Sequence, residues 1–250
     1  MSTWTWALAT TRGTSHVATG RGCDDAAFCA TLRTDPAVLL AVVSDGAGSA
    51  SCGGFGARLV VRTLVTQIRQ RLARGEALDV EALACVLDAT RDRIAHVATA
   101  RGLVPRDFAA TAIVAVSSPM ETIILHVGDG AAVGEDADGS WHALSWPAHG
   151  QYASTTYFVT DEVPQLRIGR TAEPLRTLML LTDGLERLAL DFDATTPHLP
   201  FFTAMAAPVA ASRVAGRDRA LSAALANYLN STSVNERTDD DKTLVVAVRR

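Results

Sequence analysis

The stretch Ala37-Val38-Leu39-Leu40-Ala41-Val42-Val43-Ser44-Asp45-Gly46-Ala47-Gly48 decides how the rest of the chain is read. Everything up to Val43 is apolar, β-branched toward the end, the pattern of a strand buried on both faces. A carboxylate and two glycines follow at once. An Asp-Gly pair between strands is ordinarily a hairpin turn, but no partner strand follows here at two-residue spacing. Residues 49–54 are small and polar, and a helical pattern then begins. Such a strand delivers an anionic group into a glycine-loosened loop, where a sheet presents it to a metal or a phosphate. The run Thr177-Leu178-Met179-Leu180-Leu181-Thr182-Asp183-Gly184 repeats the device: buried strand, hydroxyl residue, Asp, Gly.

Working outward, the 250 residues are 48% hydrophobic and 20% charged, the profile of a globular protein with a substantial core. No linker-like segment or solenoid repeat divides them, so a single domain over residues 1–250 is expected. A net charge of −4 leaves no basic footprint for nucleic acid, and no apolar run approaches membrane-spanning length. Cys23, Cys29, Cys52 and Cys85 form neither a CxxC pair nor a zinc-like spacing. With no signal-like start to the chain, they read as reduced thiols in the cytoplasm.

Residues 4–10 alternate as a first strand, and residues 11–22 read as a Gly/Ser/Thr-rich loop holding His16 and Arg21. Residues 27–32 form a second strand. Val60, Val61, Leu64, Val65, Ile68 and Leu72 give residues 57–72 a helical stripe that Gly75 terminates. A second helix covers Val80–Ala100, with Asp79 as its N-cap. Residues 111–116 and 122–127 read as a hairpin, continued as a meander through 131–135 and 141–144. Residues 147–174, including Gly150, Gln151, Tyr152, Thr155 and Tyr157, read as a strand-containing excursion or flap. Helices are expected over 197–212 and 213–230, a polar loop over 231–237, and a final strand over 244–248.

Asp25, Asp45, Asp183 and Asp240 each adjoin an apolar strand, and Asp129 lies in a similar place within Gly128-Asp129-Gly130. Singly, each reads as a turn residue or a solvated charge, and for Asp129 a hairpin turn is an equally good account. Gathered together, carboxylates repel and raise one another's pKa values. Hard divalent cations relieve that repulsion, and oxygen-only ligation suits Mg2+ or Mn2+ rather than Zn2+.

The ordered motifs Gly22-Cys23-Asp24-Asp25-Ala26, Ser44-Asp45-Gly46-Ala47-Gly48, Ala110-Thr111-Ala112, Val127-Gly128-Asp129-Gly130, Leu181-Thr182-Asp183-Gly184 and Asp240-Asp241-Lys242-Thr243 resemble the metal-dependent protein phosphatase 2C family of serine/threonine phosphatases. Gly13-Thr14-Ser15-His16 and residues 150–157 look most like a bacterial stand-alone branch of it. The resemblance implies an α+β fold, a four-layer αββα sandwich of two antiparallel sheets flanked by helices. It also implies a role in signalling through two-metal hydrolysis of phosphoserine and phosphothreonine in proteins, by in-line attack of a water acidified between two cations. By motif match Asp45 would bridge both metals and Gly46 would lend its carbonyl. Asp183 and Asp240 would hold the first metal, Asp25 the second, and Asp129 a third, weaker one. Asp45, Asp183 and Asp240 are thus the expected catalytic set, with His16 and Arg21 as candidates for the substrate phosphate.

Three positions depart from the pattern. Ala47 stands where many relatives have a histidine, no arginine follows Gly130, and the family's phosphate-binding arginine has no clear counterpart. His126 and His149 read as structural. The implied partners are phosphorylated proteins and a cognate Ser/Thr kinase. The alternative is a catalytically weak phosphatase-fold protein acting as a regulatory phosphoprotein-binding module.

Overall fold

The computed structural model describes residues 3–148 and 156–250. In chain order the first half comprises β1 (Trp4–Thr11), α1 (Thr14–Ala18), β2 (Ala26–Leu32), β3 (Val38–Ser44), α2 (Gly53–Ala73), α3 (Val80–Ala100), β4 (Ala112–Ser117) and β5 (Thr122–Val127). Then come β6 (Ala131–Glu135), β7 (Trp141–Ser145), β8 (Arg167–Thr171), β9 (Thr177–Leu181), α4 (Glu186–Ala189), β10 (Leu190–Asp191) and β11 (Thr196–Pro197). The chain closes with α5 (Leu199–Ala211), β12 (Gly216–Arg217), α6 (Arg219–Leu229), α7 (Thr232–Asn235) and β13 (Lys242–Arg249).

Two sheets carry the fold. One has the order β2-β3-β4-β5-β8 and the other β12-β1-β13-β9-β6-β7. All pairings in them are antiparallel except the short parallel contact of β12 with β1. An uninterrupted apolar run suits an antiparallel strand only when both faces are covered, and β3 meets that condition. Leu39, Ala41 and Val43 point toward the second sheet, against residues such as Leu180, Val245 and Trp6. Leu40 and Val42 point outward, under the Val60, Leu64, Ile68, Leu87 and Ile94 stripes of α2 and α3. On the far side, Met179, Leu181, Leu244 and Val246 lie under Phe202, Val209, Leu225 and Leu229 of α5 and α6. This is the expected αββα sandwich. Each fully buried Val or Leu contributes about 1.5–3 kcal/mol to it.

Several boundaries differ from expectation. Helix α2 begins at Gly53, four residues ahead of the apolar stripe, because glycine adds nothing to a hydrophobic period. A Cβ on Gly46 would stand 2.3 Å from the Gly53 carbonyl carbon, so this bare helix start is what lets the loop after Asp45 lie against it. Residues 213–218 are not helical. Asp218 caps α6 by accepting from Leu221 N at 3.0 Å, and β12 ahead of it pairs with β1. Short helices α1 and α7 occupy the loops expected at 11–22 and 231–237.

The meander fails at one junction. Strands β4 and β5 do form a hairpin, but β5 and β6 belong to different sheets. Gly128, Asp129 and Gly130 therefore carry the chain across the sandwich rather than around a hairpin. Within residues 147–174, β8 pairs with β5 as an edge strand, and Val159 is fully buried with its N–H donating to Ala110 O at 2.9 Å. His149, Gly150, Gln151, Tyr152 and Thr155 lie outside the described residues.

A candidate metal centre at one sheet edge

Antiparallel register collects the aspartates. Ala26 of β2 pairs with Ser44 of β3, which sets Asp25, just before one strand, beside Asp45, just after the other. In the second sheet Leu181 of β9 is opposite both Leu244 of β13 and Ala131 of β6. Asp183, Asp240 and Asp129 thereby reach the same edge from three chain segments. One carboxylate oxygen from each of Asp45, Asp129 and Asp183 lies within 4.8 Å of the other two.

The backbone around these groups leaves no slack. Thr111 Oγ1 accepts from Asp45 N at 2.9 Å, and Thr111 N donates to Asp45 O at 2.8 Å. A Cβ on Gly184 would fall 1.9 Å from Asp241 O, so the segments bearing Asp183 and Asp240 touch backbone to backbone. Asp241 itself is buried. Its carboxylate accepts from Gly13 N at 2.6 Å, Asp24 N at 2.5 Å and His16 Nδ1 at 3.0 Å, tying the final strand to the loop that bears Asp25.

Electrostatics at the edge are unfavourable for bare carboxylates. Burial first, then the charges of Asp183, Asp25, Asp129 and Asp240, hold the Asp45 carboxyl well above its ordinary range. Asp183 is raised likewise by burial and by Asp129, Asp240, Asp25 and Glu186, and Asp240 chiefly by burial. Asp25 is pushed up to about 7 by burial, although Thr243 Oγ1 and Thr182 Oγ1 donate to its Oδ2 at 2.7 and 2.8 Å. Its Oδ1 is buried and has no hydrogen-bond partner among the described residues. A buried carboxylate oxygen without a donor costs several kcal/mol of desolvation. An all-oxygen set with one lone pair left unsatisfied is a donor set for a hard divalent cation, and the residues present fit one.

Other expected residues are engaged elsewhere. His16 turns Nδ1 to Asp241. Arg21 donates to Asp24 Oδ2 at 2.7 Å and to Gly48 O at 2.8 Å, clamping the first acidic loop to the loop after Asp45. Neither lines the open cleft of about 390 Å³ over the carboxylates, whose walls include Asp129, Asp183, Asp240, Arg187 and Arg237. His126 is buried between Ser145 Oγ (2.7 Å) and Asp129 O (3.1 Å), and burial with the nearby Arg167 charge pushes it down to about 3. A neutral imidazole there supports the Asp129 turn. Burial likewise pushes the Cys23 and Cys29 thiols up, so neither is a thiolate nucleophile.

Two further residues of the site, Glu186 and Asp241, stand out only in the folded chain. Glu186 Oε1 accepts from Gly130 N at 2.9 Å, and burial with the Asp129 charge pushes this carboxyl up to about 7. Its sequence signal is i,i+3 spacing from Asp183 on one helical turn. Asp241 gives no sequence signal within the Asp239-Asp240-Asp241 run; strand register alone separates the exposed member from the buried one.

Residues 12–230 match the family model described as protein phosphatase 2C. The chain is 38% identical over 250 residues to the serine/threonine-protein phosphatase 3 of Escherichia coli K12, covering 98% of both proteins. Among solved structures it is similar to the serine/threonine phosphatase Stp1 of Staphylococcus aureus, with a TM-score of 0.64 at 16% identity over 97% of this chain and 94% of that one. The catalytic domain of the serine threonine protein phosphatase PstP, in complex with two manganese ions, gives 0.61 at 17% identity over 100% and 99%. At such identities the structural likeness speaks for the fold.

Proposed function

The chain belongs to the protein phosphatase 2C family, and from that premise we propose that it hydrolyses phosphoserine and phosphothreonine in proteins through a divalent-metal centre carried by one domain. The observation that carries the metal-dependent part is the convergence of buried and half-buried, mutually repelling carboxylates from both sheets, with no hydrogen-bond donor to Asp25 Oδ1 among the described residues. Asp45, Asp183, Asp240, Asp25 and the Gly46 carbonyl would hold two cations, with Asp129 at a third, weaker position. When bound, Mn2+ or Mg2+ supplies Lewis acidity toward water and the phosphoryl oxygens.

The chain's own residues set the stage for that chemistry. Thr182 and Thr243 favour the charged form of Asp25 by donating to it. Glu186 fixes the Gly130 amide, and through it the turn that carries Asp129. Asp241 and Arg21 keep the loops of Asp25, Asp45 and Asp240 in register. His16 acts within this scaffold through Asp241.

A Ser/Thr kinase acting on the same proteins is the counterpart that this activity implies. The cytoplasm is the proposed compartment, in keeping with four unpaired cysteines and with no helix, among the described residues, long and apolar enough to cross a membrane. Phosphate release from phosphoserine and phosphothreonine peptides, with and without Mn2+ or Mg2+, tests the reading. Turnover should require the metal and be lost in Asp45→Asn, with Mn2+ uptake reduced in calorimetry. Tight phosphopeptide binding without turnover would instead mark a binding module.

A further inference from the structure

Beside the aspartate cleft lies a second depression of about 330 Å³, and among the described residues only Arg187 and Arg237 line both. Arg187 sits on α4, four residues beyond Asp183, and Arg237 follows α7, three residues ahead of Asp240. Each is thus carried by a segment whose backbone is already locked at the metal edge, through the contact of Gly184 with Asp241. Both side chains are exposed.

The cleft walls include Asp129, Asp183, Glu186, Asp239 and Asp240, yet neither guanidinium forms a hydrogen bond or an ion pair with a described residue, and Arg187 acts on Glu186 only through its charge. By contrast, Arg21, Arg71 and Arg170, which also stand near carboxylates, are paired with them. A guanidinium is permanently charged, and its planar fork matches a carboxylate bidentately. Two of them, exposed where two depressions meet and not hydrogen-bonded to any described residue, are placed for an external anion.

We propose that Arg187 and Arg237 form a selectivity ridge that favours substrates bearing an acidic side chain next to the phosphorylated serine or threonine. This rests on the phosphatase reading above. A peptide whose phosphate enters the aspartate cleft runs its neighbouring residues over the ridge into the second depression. Leu188, Leu190 and Phe192 offer that stretch apolar contact. Asp191, Asp193 and His198 also line the depression, so among its described lining residues the permanent positive charge is confined to the two arginines. One flanking acid is therefore favoured, and a longer acidic run gains nothing further.

The test uses two phosphothreonine peptides that differ only in a flanking Glu or Gln. The ratio of their kcat/KM values is measured for the wild type, the Arg187→Gln/Arg237→Gln double variant and the corresponding double Glu variant. The wild-type ratio should be roughly tenfold in favour of Glu at low salt and shrink as salt screens it. It should fall to about one in the Gln variant and below one in the Glu variant. A wild-type ratio near one, or an unchanged ratio in the variants, overturns the proposal. Equal losses on both peptides leave the ratio intact and overturn it too, by assigning the arginines to the scissile phosphate. Fluorescence anisotropy of the same peptides in chelator reads the preference without turnover. Failure of the wild type to hydrolyse either peptide defeats the phosphatase reading, while the anisotropy ratio still decides for or against the ridge.

Discussion

Replacing Thr243 by valine asks how far two hydroxyls keep Asp25 ionised. Asp25 Oδ2 accepts from Thr243 Oγ1 at 2.7 Å and from Thr182 Oγ1 at 2.8 Å, against a burial that pushes the carboxyl up to about 7. Valine keeps the shape and removes one donor. A hydrogen bond to a charged group is worth roughly 1.5–3 kcal/mol, and at about 1.4 kcal/mol per tenfold its loss lifts the carboxyl to roughly 8–9. The ionised fraction at pH 7 then falls from about a half to a few per cent. Because a cation binds the ionised form, affinity for Mn2+ at pH 7 should drop about tenfold and recover as pH rises. Thr243→Ser retains the hydroxyl and should follow the wild type. Isothermal titration of Mn2+ into chelator-stripped protein, from about pH 6.5 to about pH 8.5, resolves the three curves. Coincident curves for wild type and Thr243→Val, or a serine variant as weak as the valine one, would refute the reasoning.

Gly184→Ala places a Cβ 1.9 Å from Asp241 O, so the Asp183 and Asp240 segments must part by about 1 Å to reach tolerable contact. A displacement of that size should lower turnover about 100-fold, and a kcat within a few-fold of wild type would show the edge to be pliant. Asp129→Asn should raise the Mn2+ concentration needed for half-maximal turnover about tenfold, since the residue lies on a crossover between sheets and not in a hairpin. A metal-dependence curve coinciding with wild type would reduce Asp129 to a scaffold residue. In chelator, stability should fall as pH rises. Asp25 and Glu186 are raised to about 7 in the folded chain, so between about pH 4 and pH 7 the folded state holds protons that the unfolded chain has released. Asp25 alone is worth about 4 kcal/mol across that window. Melting should come earlier at pH 8 than at pH 5.5, with Mn2+ narrowing the gap, and the reverse order would contradict the assignment.

Local physics is what made much of this protein readable from its residues. Strand β3 shows its double burial in an unbroken apolar run, α2 and α3 show theirs as stripes, and Asp79 declares itself as a cap that accepts from Ala82 N at 2.7 Å. The aspartates at strand ends were legible for the same reason, because a carboxylate next to a buried strand has few places to go. Periodicity is silent where side chains are: the glycine start of α2 carries no stripe. Asp218 is hidden inside an expected helix because a cap is recognisable only once the helix start is known.

Tertiary structure decided what depends on distant segments meeting. Whether β5 turns back on itself or crosses to the other sheet is set by which neighbour completes each sheet, and that placed Asp129 with Asp45 and Asp183. Asp240 and Asp241 are chemically alike in the sequence; strand register sends one to the carboxylate-lined cleft and buries the other among Gly13, Asp24 and His16. Arg21 and His16 looked available to a phosphate as residues of a polar loop, but folding supplied Asp24, Gly48 and Asp241 as nearer partners. Arg187 and Arg237 are 50 positions apart and unremarked in one dimension. They become a pair only because β9 and β13 lie side by side, bringing the segments that follow one strand and precede the other to the same edge.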